Sequence, residues 1–401
     1  MIELDIPKKL RALQQQARLV ANNVFRPVSR KYDAQEHAYP KELDMLAALL
    51  DGLNEAGGGA SAKLEKGKDD GPADPKRTKN GANMAAVLGT IELSRGDVGL
   101  LLTLPRQGLG NAALAAVGTP EQKKQYGNHW IAMAITEPGA GSDSAAIRAT
   151  AKLDGDEWVI NGEKIFVTAG ERSNAVVVWA SIDPSLGRAA IKAFLVPKGT
   201  KGMTVVRLDH KLGIRASDTA TIVFEDCRIP KENILGSPEI DTKKAFAGVM
   251  KTFDNTRPLV AGMAIGVALA ALERTRELLR AAGVPIDGGK AAGTYVEAEL
   301  ERLEAEVEAA RLLTLEAAWM ADNGIPNSLQ ASMAKAKAAR VANEVTLRCV
   351  ELLGPIGYDE HELVEKWARD SKILDIFEGT QQIQMLVVAR GVLGKTSAEL
   401  R

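Results

Sequence analysis

Residues 134–143 read Ala134-Ile135-Thr136-Glu137-Pro138-Gly139-Ala140-Gly141-Ser142-Asp143 and stand where the chain changes its hydrophobic period. Upstream, from about residue 6 to 128, apolar residues recur at helical spacing. Leu10, Leu13, Ala17, Leu19 and Val20 share one side of a first segment, and Leu43, Leu46, Leu49, Leu50 and Leu53 mark a second. Downstream, from about 129 to 240, the period is two. Glu157 to Ile160 and Lys164 to Val167 flank Asn161-Gly162, a pair suited to the positive φ angles of a type I′ hairpin turn. Val176 to Trp179, Ala193 to Val196, Met203 to Leu208 and Thr221 to Phe224 add strands separated by Gly, Pro and Asp. From about 241 long helices return. Val296, Leu300, Leu303, Val307 and Ala310 repeat at helical spacing until Asn323-Gly324-Ile325-Pro326 stops the run, and a Lys- and Ala-rich helix follows Leu329. The expected architecture is α+β and multidomain: an N-terminal helical domain (1–128), a central antiparallel β-domain (129–240) and a C-terminal four-helix bundle (241–401).

The 401 residues carry 51 basic against 52 acidic side chains, so no global field attracts nucleic acid or an anionic membrane. Any phosphate must be held locally. Cys227 and Cys349 lack metal-site spacing, and two cysteines in so long a chain do not suggest a disulfide framework. The N-terminus is polar and helical, without a signal-peptide pattern, and no segment of membrane-spanning length is expected. A cytoplasmic protein without a metal fits these observations. Residues 57–81, where Gly, Lys, Asp and Pro crowd out apolar residues, cannot bury themselves and are expected to form a mobile polar insert.

Five stretches point to chemistry. In residues 134–143, Pro and the small residues let backbone N–H groups approach an anion, and Thr136 and Ser142 add hydroxyls, although a Gly-rich domain connection has the same composition. In Phe166-Val167-Thr168-Ala169-Gly170 an aromatic ring and a hydroxyl two residues apart share one strand face, suited to covering a flat ring and donating to it; ordinary core has this pattern too. The third runs from Lys211-Leu212-Gly213-Ile214-Arg215 to Phe224-Glu225-Asp226-Cys227-Arg228-Ile229-Pro230. The fourth, Phe253-Asp254-Asn255-Thr256-Arg257-Pro258, precedes an apolar helix expected to begin at Leu259. The fifth is Arg369-Asp370 followed by Ile376-Phe377-Glu378-Gly379-Thr380-Gln381-Gln382-Ile383-Gln384. A single charge is most often a solvated one, but apolar neighbours around Glu378 would raise its pKa and suit it to accept a proton.

In this order the five stretches resemble the acyl-CoA dehydrogenase family, over nearly the whole chain except residues 57–81. The resemblance implies FAD as cofactor, an acyl-CoA thioester as substrate and an electron-transfer flavoprotein as electron acceptor. It implies that Glu378 removes the α-proton while the β-hydrogen leaves as hydride to the flavin, giving a trans-2-enoyl thioester in β-oxidation. It further implies flavin contacts from Met133, Ile135, Thr136, Gly141, Ser142, Phe166, Thr168, Thr380 and Gln382. Substrate contacts fall to Ser142, Asp254, Arg257, Phe377 and Gly379. A minority of the family carries its glutamate immediately before the arginine of the helix after the β-domain. Here Thr256 holds that position, which leaves Glu378 as the base.

The chain departs from the family pattern in several places. Phe166 and Phe377 replace the usual Trp and Tyr, and a PEEYGG-like turn is replaced by the polar stretch 57–81. Larger changes fall on the elements a family subunit lends to its neighbour's flavin. An Arg-x-x-Phe-Gly motif reads Arg280-Ala281-Ala282-Gly283-Val284, and the later Gln and GGxG turn read Glu351-Leu352-Leu353-Gly354-Pro355-Ile356-Gly357. These changes raise the expectation of an oligomer that is a heterotetramer with a paralogous subunit. A half-competent or non-catalytic partner subunit is the alternative function. Acyl chain length is not legible, and a straight chain or a steroid side chain fits equally.

Overall fold

The computed structural model describes residues 6, 8–47, 81–105, 108–240, 247–288, 293–396 and 399. Apart from Gly81, the polar stretch 57–81 lies outside them, as do Leu49, Leu50 and Leu53. The N-terminal helices are α1 (Lys8–Val20), α2 (Arg26–Ala34), α3 (Ala82–Gly96), α4 (Val98–Leu101), α5 (Leu109–Val117) and α6 (Pro120–Tyr126). Leu10 is buried in the expected way, but Leu19 is 60% exposed. Nine residues on from Leu10 is about two and a half helical turns, which puts Leu19 on the opposite face.

Seven strands form one sheet: β1 (Ile131–Ala134), β2 (Thr150–Asp154), β3 (Glu157–Thr168), β4 (Ala175–Ser181), β5 (Ile191–Pro197), β6 (Met203–Leu208) and β7 (Thr219–Pro230). Their order is β1-β4-β2-β3-β7-β6, with β5 also paired to β4. Most pairs are antiparallel, but β1 runs parallel to β4, and β2 meets β4 parallel at one residue pair. The hairpin turn expected at Asn161-Gly162 lies instead at Gly155-Asp156, where Gly155 has φ 63° and Asp154 pairs with Glu157. Asn161 and Gly162 sit within β3 at a register slip against β7. A Cβ on Gly162 would lie 2.6 Å from the Ala149 Cβ, so close approach, rather than a turn, requires glycine there. A second slip between Lys164 and Val167 buries those two residues three apart and leaves Phe166 exposed with φ 58°.

The bundle comprises α7 (Ala247–Ala281), α8 (Tyr295–Asp322), α9 (Ser328–Leu353), α10 (Val364–Leu374) and α11 (Gln381–Leu393). The apolar helix does not begin at Leu259. It runs through Pro258, whose missing N–H and ring cost less than the burial of Val260, Ala261, Ala264, Ile265 and Ala268 returns. The Thr256–Ala281 part of α7 is long and apolar enough to cross a membrane, contrary to the sequence expectation, but it is mostly buried against α8, α9 and α10 as a core helix.

Arg369 and Asp370 belong to the framework where the three domains meet. The buried Lys366 ammonium pairs with Asp97 at 2.8 Å and Asp370 at 2.5 Å, while Ser29 donates to Asp97. Burial opposes the Lys366 charge, but the two carboxylates outweigh it and hold its pKa above the ordinary range. Asp370 also accepts from the Ile214 N–H at 2.5 Å, and Arg369 bonds the Leu212 carbonyl and Asp33. The Lys211–Arg215 segment is thereby fastened to α10, which leads directly into the turn carrying Glu378. Both cysteines are buried and free, with thiol pKa values pushed up by burial to about 11 for Cys227 and about 12 for Cys349.

Candidate active site

Glu378 sits in the turn between α10 and α11. Phe377 N–H closes the end of α10 on the Ile373 carbonyl, and Thr380 caps α11 by accepting from the Ile383 N–H. Between these anchors Glu378 takes φ 53° and Gly379 φ 92°, a strained pair of left-handed residues. A side chain at Gly379 would meet the Gln384 amide at 2.4 Å. That buried amide donates to the carbonyls of both Glu378 and Gly379, each at 3.2 Å. The Lys335 ammonium reaches the Gly379 carbonyl from α9 at 2.7 Å.

The Glu378 carboxylate is half-buried and, among the described residues, accepts one hydrogen bond, 2.5 Å, from the Thr256 hydroxyl. Burial raises its pKa above the ordinary carboxylate range; the Thr256 bond and the charges of Lys335 and Arg257 partly oppose this. Thr256, singled out in the sequence as a position where a base is absent, therefore touches the base candidate directly. Arg257 is buried, with its guanidinium 3.4 Å from the Ser332 hydroxyl. It lies inside the bundle rather than at an open face. The backbone of Asp254 is part of α7, and its side chain lies outside the described residues.

Residues 137–140 form a tight two-residue turn in which Glu137 and Ala140 exchange backbone hydrogen bonds. The Glu137 carboxylate holds this turn: it is buried and accepts from Lys164 at 2.7 Å, Arg148 N–H at 2.6 Å and Ala149 N–H at 2.9 Å. Lys164 also donates to the Ile135 carbonyl, and burial pushes its pKa down to about 8 against the pull of Glu137. Ile165 N–H donates to the Thr136 carbonyl, which seats Phe166 beside the turn. Gly141, Ser142 and Phe166 are exposed and Thr136 and Thr168 half-buried. Met133 and Ile135 are core residues, each 8% exposed. At the other cluster Thr380, Phe377 and Gly379 are half-buried, and Gln382 is exposed on the first turn of α11.

The departures noted in the sequence have local partners. Arg280 forms a forked pair with Asp287 in the turn after α7, with contacts of 2.5–2.9 Å. Glu351 pairs with Arg348 at the surface, so its negative charge is partly compensated although its side chain stays exposed.

Sequence reasoning gave no site role to Lys164, Lys335 or Gln384. Lys335 had a usable signal: it lies at helical spacing among Ala331, Ala334, Ala338 and Ala339, all buried, so its α9 face had to be interior.

This geometry agrees with comparisons to known proteins. Residues 132–227 match the model of the acyl-CoA dehydrogenase middle domain, and residues 246–393 that of the acyl-CoA dehydrogenase C-terminal domain. The mitochondrial short-chain specific acyl-CoA dehydrogenase of Bos taurus is 35% identical over 97% of this chain and 91% of its own. Butyryl-CoA dehydrogenase from Megasphaera elsdenii superposes with a TM-score of 0.83 at 29% identity, covering 98% of this chain and 100% of that one. A chain solved in work on the electron transferring flavoprotein of Acidaminococcus fermentans gives 0.82 at 30% identity, covering 98% and 100%. The chain belongs to the acyl-CoA dehydrogenase family, and it is an FAD-dependent oxidoreductase of acyl-CoA thioesters. The residue types present fit that cofactor: Phe166 is exposed and follows Ile165, whose N–H bonds the Thr136 carbonyl, so an aromatic side chain and the half-buried hydroxyl residues Thr136 and Thr168 belong to one region of the sheet.

Proposed function

We propose that Glu378 is the general base that removes the α-proton of a fatty acyl-CoA, yielding the trans-2-enoyl thioester. FAD, when bound, supplies the acceptor for the β-hydride. The observation that carries this reading is a half-buried carboxylate with a raised pKa that, among the described residues, takes a single hydrogen bond on its oxygens, from Thr256. Burial makes such a group more basic than a solvated glutamate, which favours proton abstraction. Thr256 fixes one oxygen and leaves the other for the substrate. In this reading the Glu378 N–H, in a turn where Glu378 takes φ 53°, would polarise the thioester carbonyl. Thr136, Gly141, Ser142, Phe166 and Thr168 on one side, with Thr380 and Gln382 on the other, would hold the flavin. Ser142, Asp254, Arg257, Phe377 and Gly379 would line the path of the thioester and CoA.

Electrons would pass on to an electron-transfer flavoprotein. The relatives' names favour a short straight acyl chain, which a comparison of kcat/KM for butyryl-, octanoyl- and palmitoyl-CoA tests; a preference for palmitoyl-CoA would overturn it. For the base, the test is flavin reduction by Glu378→Gln: a rate near that of the unaltered protein would remove the assignment.

A second reading is that this chain forms half of a heterotetramer with a paralogue. What favours it is the Arg280–Asp287 pair, which occupies a guanidinium at the place from which the family lends one to a neighbouring flavin. The compensation of Glu351 by Arg348 weighs against the charge repulsion that the sequence suggested. Expression of the chain alone, with mass and flavin measured together, decides: a homotetramer with one FAD per subunit contradicts the heteromer.

A further inference from the structure

The side chain of Lys335 is fully buried, yet among the described residues it forms no ion pair; its hydrogen bond goes to a neutral acceptor, the Gly379 carbonyl, at 2.7 Å. Burying an ammonium without a carboxylate partner is costly, so a lysine here needs a compensating role. Its target is the strained turn. Glu378 has φ 53°, an unfavourable conformation for a residue with a side chain; the carbonyls of Glu378 and Gly379 both accept from the Gln384 amide, and the Gly379 carbonyl accepts from Lys335 as well. The charged groups facing Lys335 are Asp375 before the turn, Glu378 within it and Arg257 from α7. Burial pushes the Lys335 pKa down to about 8, against the pull of Asp375 and Glu378, so it carries its charge at neutral pH.

We infer that Lys335 is a positioning residue for the catalytic base: it holds the Gly379 carbonyl so that Glu378 keeps its left-handed conformation, and it places a fixed positive charge behind the carboxylate. The inference rests on the assignment of Glu378 as base. The hydrogen bond sets where the carboxylate points, and the charge keeps it ionised when burial alone would favour the protonated form. The two contributions separate chemically. Glutamine at 335 retains a donor and loses the charge, methionine loses both, and arginine keeps both kinds of interaction.

The test measures flavin reduction by acyl-CoA in a single turnover across pH for the flavin-loaded Lys335→Gln, Lys335→Met and Lys335→Arg proteins, with Glu378→Gln alongside. The acid limb, where rate is lost as Glu378 protonates, is expected to move up by about one pH unit in Lys335→Gln and Lys335→Met and to stay in place in Lys335→Arg. Misdirection of the carboxylate is expected to slow Lys335→Met by about 10- to 100-fold at the optimum, more than Lys335→Gln. Should Lys335→Met not fold, the contrast between Lys335→Gln and Lys335→Arg still decides. An unmoved acid limb in Lys335→Gln, with Glu378→Gln inactive, overturns the role of Lys335 alone. A fully active Glu378→Gln overturns the base assignment instead.

Discussion

Glu137 and Glu378 both stand in glycine-containing turns that mark this family, yet the structure treats them in opposite ways. Glu137 is buried and receives three donors, from Lys164, Arg148 N–H and Ala149 N–H. Every contact it makes is internal, and its product is a fixed turn. Glu378 is half-buried and receives a single hydroxyl, while the supporting bonds go to its backbone and to Gly379. The difference teaches that carboxylates in two family motifs are used differently: Glu137 commits three of its roughly four acceptor sites to internal donors, while Glu378, with a single donor among the described residues, keeps most of its acceptor capacity free.

The sharpest way to break the comparison is at Lys164. Lys164→Met leaves Glu137 without its counter-charge in the interior, and a loss of about 3–5 kcal/mol in unfolding free energy is expected, measured by denaturant titration. A change well below 1 kcal/mol would mean that the turn is held by backbone alone. Thr256→Val, by contrast, should fold normally. It removes the hydroxyl that donates to the Glu378 carboxylate, so the acid limb of kcat/KM should move to higher pH and the rate should fall about tenfold. An unchanged pH profile would detach Thr256 from the chemistry.

The smallest expected effect concerns stability. The folded-state pKa of Glu378 is raised, so between its unfolded and folded values the native state binds more protons, and stability falls as pH rises through that window. Above it the penalty is constant. Glu378→Gln removes the penalty and should melt slightly higher than the unaltered protein at neutral pH, with the gap closing as pH falls below the folded pKa. A lower melting temperature at neutral pH would show that the carboxylate contributes more through Thr256 than burial takes away.

Much of this was legible in the sequence. The order of helices, sheet and helices was legible because burial imposes a period of two on strands and 3.6 on helices. The raised pKa expected of Glu378 from its neighbours Phe377 and Gly379 agrees with the burial that pushes it up in the structure. Asn161-Gly162 misled because a glycine needed for close packing against Ala149 has the same appearance as one needed for a turn. Leu259 misled as a helix start because Pro258 ordinarily breaks a helix, and here long-range burial overrides it. Arg369-Asp370 proved to be a junction between domains, since their partners Asp33, Leu212 and Ile214 lie more than 150 residues away along the chain. The Lys335 contact to Gly379 spans 44 residues and two helices, a pairing that only the packing of α9 against the turn creates.

The most direct measurement is rapid-mixing absorbance of the flavin band after acyl-CoA is added to Glu378→Gln protein that has been checked for folding, bound FAD and acyl-CoA affinity. Bleaching is expected to be slower than in the unaltered protein by about 10²–10⁴-fold, because an amide cannot take the α-proton. Bleaching at the unaltered rate would contradict the assignment of Glu378 as the base.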